Sequence, residues 1–258
     1  MTQANSPDFW KDNLPRPTTD SHKYDRGFCA IIAAPELTGA TRLAAEAALS
    51  SGVGLIKVVA EVRDDIYRST LPADIMVANK LDPKEEKITA WLAGPGGIAI
   101  SHHEEIDAME GPPRILDSSA LPTPDKFPLK GETILTPHGG EFKKMFPELD
   151  SKKIDDVTKA AKTANAIIVS KNDATLIAHP DGRSIEHDYP NPALARGGTG
   201  DVLAGLIAGL VAQGMPGFEA ACAGVWIHSG AAKNAGHSFA ASDLIEKLNQ
   251  IIDDVFSD

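Results

Sequence analysis

Asn191-Pro192-Ala193-Leu194-Ala195-Arg196-Gly197-Gly198-Thr199-Gly200-Asp201-Val202-Leu203-Ala204-Gly205 is the stretch that decides how this chain is read. Two adjacent glycines, a hydroxyl residue, a third glycine and an aspartate stand directly before an apolar, helix-forming run. Glycine lets the backbone turn tightly and leaves its N–H groups uncovered. The helix predicted from Asp201 to Gln213 adds its unpaired N–H groups and the positive end of its dipole. Gly197, Gly198, Thr199 and Gly200 are therefore the expected anion hole, suited above all to a phosphate in transit. Asp201 is placed to take a proton from a hydroxyl beside that phosphate. The plainer alternative is a glycine-rich turn with Asp201 as a helix cap.

Outward from this corner the chain alternates strand and helix. Phe28 to Ala34 reads as a short apolar strand, Gly39-Ala40 opens an Ala-rich helix to about Ser51, and Leu55 to Ala60 is a second strand. This βαβ unit implies a parallel sheet with helices on its faces. Trp91 to Ala93 runs into Gly94-Pro95-Gly96-Gly97 and a helix predicted to about Met109. Further strands are expected at Arg114 to Asp117, Thr133 to Leu135 and Ala166 to Val169, and a hairpin at Thr175–Ala178 and Ser184–His187. Helices are expected over 201–213, 217–235 and 242–256. Residues 1–24 read as a polar N-terminal arm and 25–258 as one domain.

Composition narrows the function. A formal charge of −11 argues against nucleic acid as a partner and requires local positive groups for any anionic ligand. Cys29 and Cys222 read as buried free thiols. There is no signal-peptide pattern and no run long enough to span a membrane, so a cytoplasmic protein is expected.

In open α/β sheets ligands bind beyond the carboxyl ends of the strands. Gly94 to Gly97, Asp117, His138, Glu141 and Lys171 all follow predicted strands, so they are expected on one rim with the glycine corner. Phosphoryl transfer needs the phosphate held, its charge neutralised and the attacking hydroxyl placed. Glu141 is the candidate to support Mg²⁺, directly or through water, and is equally a first-turn glutamate favoured by the helix dipole. Asp117 is readable as a structural carboxylate or a functional one. No Gly-x-x-x-x-Gly-Lys-Ser/Thr motif occurs, which excludes a P-loop enzyme.

Gly197 to Gly205 closely resembles the signature of the ADP/ATP-dependent NAD(P)H-hydrate dehydratases, a family of the ribokinase-like superfamily. Ser21-His22-Lys23, Gly39-Ala40, Gly94-Pro95-Gly96, Thr136-Pro137-His138 with Glu141, Lys171 with Thr175, and Ala241 to Leu244 occur in the matching order. The resemblance implies a ribokinase-like three-layer α/β/α fold with a largely parallel central sheet. It implies repair of hydrated NADH or NADPH: the 6-hydroxyl is phosphorylated from ADP or ATP with Mg²⁺, and phosphate then leaves. Asp201 would be the catalytic base and Ala40, Gly96, His138 and Asp201 the contacts to the hydrated dinucleotide. Lys171, Asn172, Asp173, Ala174, Thr175 and Gly200 would contact the adenine nucleotide. A homo-oligomer is expected. The chain departs from the family pattern at Tyr24, Ser119 and Asn172; asparagine suits position 172 if the backbone there is left-handed. A small-alcohol kinase on the same fold and a non-catalytic nucleotide-binding paralogue are the competing readings.

Overall fold

The computed structural model of the protein describes residues 3–82, 85–99, 105–106 and 111–257. The helix expected after Gly97 falls mostly outside them. The strands are β1 (Gln3–Ala4), β2 (Phe28–Ile32), β3 (Leu55–Val59), β4 (Ile75–Ala78), β5 (Ala90–Ala93), β6 (Arg114–Leu116), β7 (Thr133–Leu135), β8 (Ile167–Ser170), β9 (Thr175–Ala178) and β10 (Ser184–His187). They form one sheet in the order β1-β10-β9-β8-β7-β6-β5-β2-β3-β4. Only β9 runs antiparallel to its neighbours. Every other pairing is parallel.

The strands are apolar on both faces because each face meets a helical layer. Cys29 and Ile31 of β2 point into one apolar cluster. Phe28, Ala30 and Ile32 point into the other. The first cluster gathers the helices α2 (Thr38–Ser50), α6 (Thr199–Ala212), α7 (Gly217–Ala235) and α8 (Ala241–Ser257). The second packs under α4 (Gly139–Met145) and α5 (Ile154–Ala164). On α5 the buried residues Val157, Ala160, Ala161 and Ala164 follow helical spacing, and Asn165 ends the helix in the left-handed region at φ 52°. The expected α/β/α layering is therefore what the chain builds. The hairpin and the three C-terminal helices also lie where expected, except that α6 begins at Thr199, two residues early.

The centre of the helical layer is α6 against α2. A Cβ on Gly205 would lie 2.0 Å from the Ala44 carbonyl oxygen, and one on Gly209 2.7 Å from that of Ala48. Two backbones approach this closely only where side chains are absent. The approach fixes the N-terminal turn of α6 relative to the sheet.

Residues 3–14 are built into this body. The short edge strand β1 pairs with β10. Asn5 Nδ2 donates to the Cys222 carbonyl at 2.8 Å. Trp10, on the short helix α1 (Pro7–Trp10), is fully buried against Trp226. Helix α3 (Asp64–Thr70) and strand β4 extend the other end of the sheet. Both cysteines are buried and unpaired, and burial pushes the Cys29 thiol up to about 12.

Candidate active site

The carboxyl ends of β6, β7 and β8 meet the start of α6. Gly198 precedes α6 at φ +95°, a conformation that favours glycine, and Leu43 Cδ1 from α2 and Ala241 Cβ from α8 crowd it. The Thr199 hydroxyl lies 2.8 Å from the Leu194 carbonyl and 2.9 Å from that of Arg196, so it folds the approach loop. Arg196 ties the same loop to the Phe239 carbonyl. Among the described residues, the first hydrogen-bonded amide of this corner is Val202, which donates to the Gly198 carbonyl at 3.1 Å. The N–H groups from Gly197 to Asp201 precede it and remain for a ligand. The Thr199 hydroxyl is thus committed to the loop itself. Gly197 is open, with nothing within 4 Å of a Cβ placed there.

Lys171, just past β8, brings the positive charge. Its Nζ lies 2.8 Å from Asp117 Oδ1 at the end of β6. A Cβ on Gly200 would sit 3.3 Å from that ammonium. Thr136, at the end of β7, donates to the same Asp117 oxygen at 2.6 Å. Asp201 is half-buried beside them. Burial first, then the Asp117 charge, push its carboxyl up to about 6, with Lys171 opposing. A carboxylate so tuned can exchange a proton near neutral pH.

On one side lies a cavity of about 620 Å³, lined by His138, Lys171, Asn172, Asp173, Thr175 and Gly200 among others. Ala174 of the expected nucleotide set does not line it. Leu194, Leu203 and Val225 give its lining an apolar part. Asn172 is not left-handed: among the described non-glycine residues only Arg63, Ser118 and Asn165 have positive φ. Its side chain instead donates to the Ser151 carbonyl at 2.9 Å and the Ser170 hydroxyl at 3.0 Å, pinning the loop that leaves β8.

The expected dinucleotide contacts divide. Ala40 and Gly96 meet, since a Cβ on Gly96 (φ +80°) would lie 2.9 Å from that of Ala40. Thr41 fixes this junction by accepting from the Ala34 amide at 2.9 Å and donating to the Pro95 carbonyl at 3.0 Å. Ala40, Gly96 and Asp201 lie outside the lining of the cavity, whereas His138 lines it. His138 also caps α4: its Nδ1 accepts from the Gly140 amide at 3.0 Å, and Glu141 Oε2 accepts from the His138 amide at 2.8 Å. The pair forms a reciprocal capping arrangement.

Among the described residues no group of three or more His, Cys, Asp or Glu side chains converges as a metal cage. Glu141 is the fitting single donor. Its carboxylate keeps lone pairs beyond the capping bond, and Mg²⁺ takes one or two protein carboxylates with water and phosphate oxygens.

Two cavity residues escaped the sequence reading. His187 and His228 are buried, and the Nε2 of each has no hydrogen-bond partner among the described residues. Burial pushes His228 down to about 4, so it is neutral at physiological pH. A lone histidine in an alanine-rich helix carries no sequence signal of its own. The partnership of Asp117 with Lys171 was equally hidden, because the two are 54 residues apart.

A ribokinase-like α/β/α fold, with a glycine corner and an adjoining cavity at the carboxyl ends of its strands, is the class that this architecture defines. The family profile described as NAD(P)H-hydrate dehydratase matches residues 29–254, and the chain belongs to that family. It is 36% identical over 236 residues to the bifunctional NAD(P)H-hydrate repair enzyme Nnr of Thermosynechococcus vestitus, covering 83% of this chain and 46% of that protein. It is 34% identical over 245 residues to the ADP-dependent (S)-NAD(P)H-hydrate dehydratase of Neisseria meningitidis serogroup B, covering 83% and 78%. The chain thus spans about half the length of the bifunctional relatives it matches. Among solved structures, the ADP/ATP-dependent NAD(P)H-hydrate dehydratase of Bacillus subtilis, co-crystallised with ATP/Mg²⁺, superposes with a TM-score of 0.86 at 26% identity, covering 98% of this chain and 99% of that one. No described helix is long and apolar enough to cross a membrane.

Proposed function

We propose that this chain dehydrates hydrated NADH or NADPH, consuming ADP or ATP with Mg²⁺ and releasing NAD(P)H and phosphate. The observation that carries the reading is the meeting of three things at one corner: unpaired N–H groups from Gly197 to Asp201, the Lys171 ammonium, and a carboxyl at Asp201 poised at about 6. Family membership and the relatives' activities support it.

Asp201 accepts the proton of the ring hydroxyl, whose oxygen bonds to the terminal phosphorus while the bond from that phosphorus to AMP or ADP breaks. The N–H groups and Lys171 hold the phosphoryl oxygens as charge shifts among them. The ring C–O bond then breaks, phosphate departs with the electron pair, and a proton leaves the neighbouring carbon to restore the double bond. Ala40 and Gly96 would lie against the dinucleotide, and Lys171, Asn172, Asp173 and Thr175 against the nucleotide. Mg²⁺, supported by Glu141, supplies phosphate charge neutralisation when bound. The net charge of −11 supports small ligands over nucleic acid, and a cytoplasmic homo-oligomer belongs to the same reading.

The test is incubation of purified protein with chemically hydrated NADH, Mg²⁺ and either nucleotide, following near-ultraviolet absorbance and free phosphate. Both should rise together. A stable phosphorylated product without NADH would make the chain a kinase; nucleotide binding without turnover would make it a non-catalytic paralogue.

A further inference from the structure

Asp117 is 4% exposed, and the chemistry above gives it no task. A buried carboxylate needs compensation, and it has two partners on one oxygen: the Thr136 hydroxyl at 2.6 Å and the Lys171 ammonium at 2.8 Å. That same ammonium lies beside Gly200, in the first turn of α6. The pair therefore reaches from the end of β6 to the anion corner.

Among the described residues two charged groups act on Asp201, and both come from the sheet: Asp117 after β6 and Lys171 after β8. At the glycine before α6, the packed helices α2 and α8 present the apolar Leu43 and Ala241. We infer that Asp117 is a positioning residue that anchors the Lys171 ammonium beside Gly200, so that this cation serves the phosphate without pairing with Asp201. The inference rests on the reading of Asp201 as the base. Without the anchor, an ammonium this close would pair with Asp201, favour its charged form and weaken it as a base. With it, the Asp117 charge holds Asp201 up while the captured lysine opposes it only in part, so Asp201 stays ready to take a proton.

The experiment is the pH profile of kcat/KM for hydrated NADH at saturating nucleotide. A base must be ionised, so activity is lost as pH falls through its pKa. Asp117→Asn keeps an acceptor for Thr136 and deletes the charge. Its acid limb should move to lower pH by roughly one unit or more. Lys171→Met should move the limb to higher pH. A merely structural Asp117 would lower the plateau or the melting temperature and leave the limb in place, which overturns the inference, as does movement of both limbs in the same direction. If Asp117→Asn does not fold, the double variant Asp117→Asn with Lys171→Met leaves no unpaired buried charge. Its limb should lie below that of Lys171→Met alone, and equal limbs overturn the inference. Asp201→Asn separates the two claims: native turnover in that variant refutes the base itself, whereas an inactive Asp201→Asn beside an unmoved Asp117→Asn limb refutes only the anchor.

Discussion

Helix α6 uses glycine in two opposite ways within three turns. At its start, Gly197 has open space around it and Gly200 faces only the Lys171 ammonium. Further along, Gly205 and Gly209 meet the backbone of α2 at distances that no side chain tolerates. The first pair leaves room for a ligand; the second removes room so that two helices close. The packing end makes the reactive end possible, because it fixes the amides and Asp201 against the sheet without a contact at the site itself. Substitutions at the two ends should therefore separate chemistry from folding.

The largest effect is expected at Asp201→Asn, with both ligands bound and turnover lowered by about 10²–10⁴-fold. Folding should respond in the other direction. The carboxyl is raised in the folded state, so its ionisation costs stability that is absent below its unfolded pKa of about 3.9 and full above about 6. The variant should melt above the native protein at mildly alkaline pH, with the gap closing towards pH 4. A lower melting temperature throughout would mean that Asp201 holds the corner together. Lys171→Met comes next: deleting a charge-assisted phosphate contact of about 1.5–3 kcal/mol should weaken ADP or ATP by roughly 10- to 150-fold in calorimetry, with the dinucleotide little affected. Unchanged affinity for both nucleotides would remove Lys171 from the nucleotide side.

Gly205→Ala should act at the other end, forcing α6 off α2 at a stability cost of about 1–3 kcal/mol. Denaturant titration reads this, and the fraction that stays folded should retain nucleotide affinity. Gly200→Ala should be the smallest change. Its φ is not in the left-handed region and the new methyl meets only the Lys171 ammonium. The melting temperature should hold while nucleotide-dependent turnover falls about five-fold, the equivalent of roughly 1 kcal/mol. A drop in both would make this glycine structural and erase the contrast.

The sequence carries the layering plainly, because strands buried on both faces read as apolar runs such as Phe28 to Ile32 and the helices as periodic ones such as 241–257. It carries less of the margins. Ile75 to Ala78 is an apolar run whose strand signal was there to be used. Gln3–Ala4 is too short and polar to show one, since its pairing depends on an edge supplied 182 residues later. At the site, the glycine corner is legible because local backbone chemistry makes it. The capping role of His138, the side-chain bonds of Asn172 and the Asp117–Lys171 pair are not, because each depends on strands brought together by the sheet.

The central claim is that one corner holds the phosphate and houses a base tuned by its burial. It is tested most directly by the single-turnover rate of hydrated NADH with saturating ADP or ATP, measured across about pH 4 to pH 8. The account predicts a rate that falls as pH drops through about 6, where the Asp201 carboxyl titrates. A rate that stays level down to the ordinary carboxylate range, near pH 4, would contradict it.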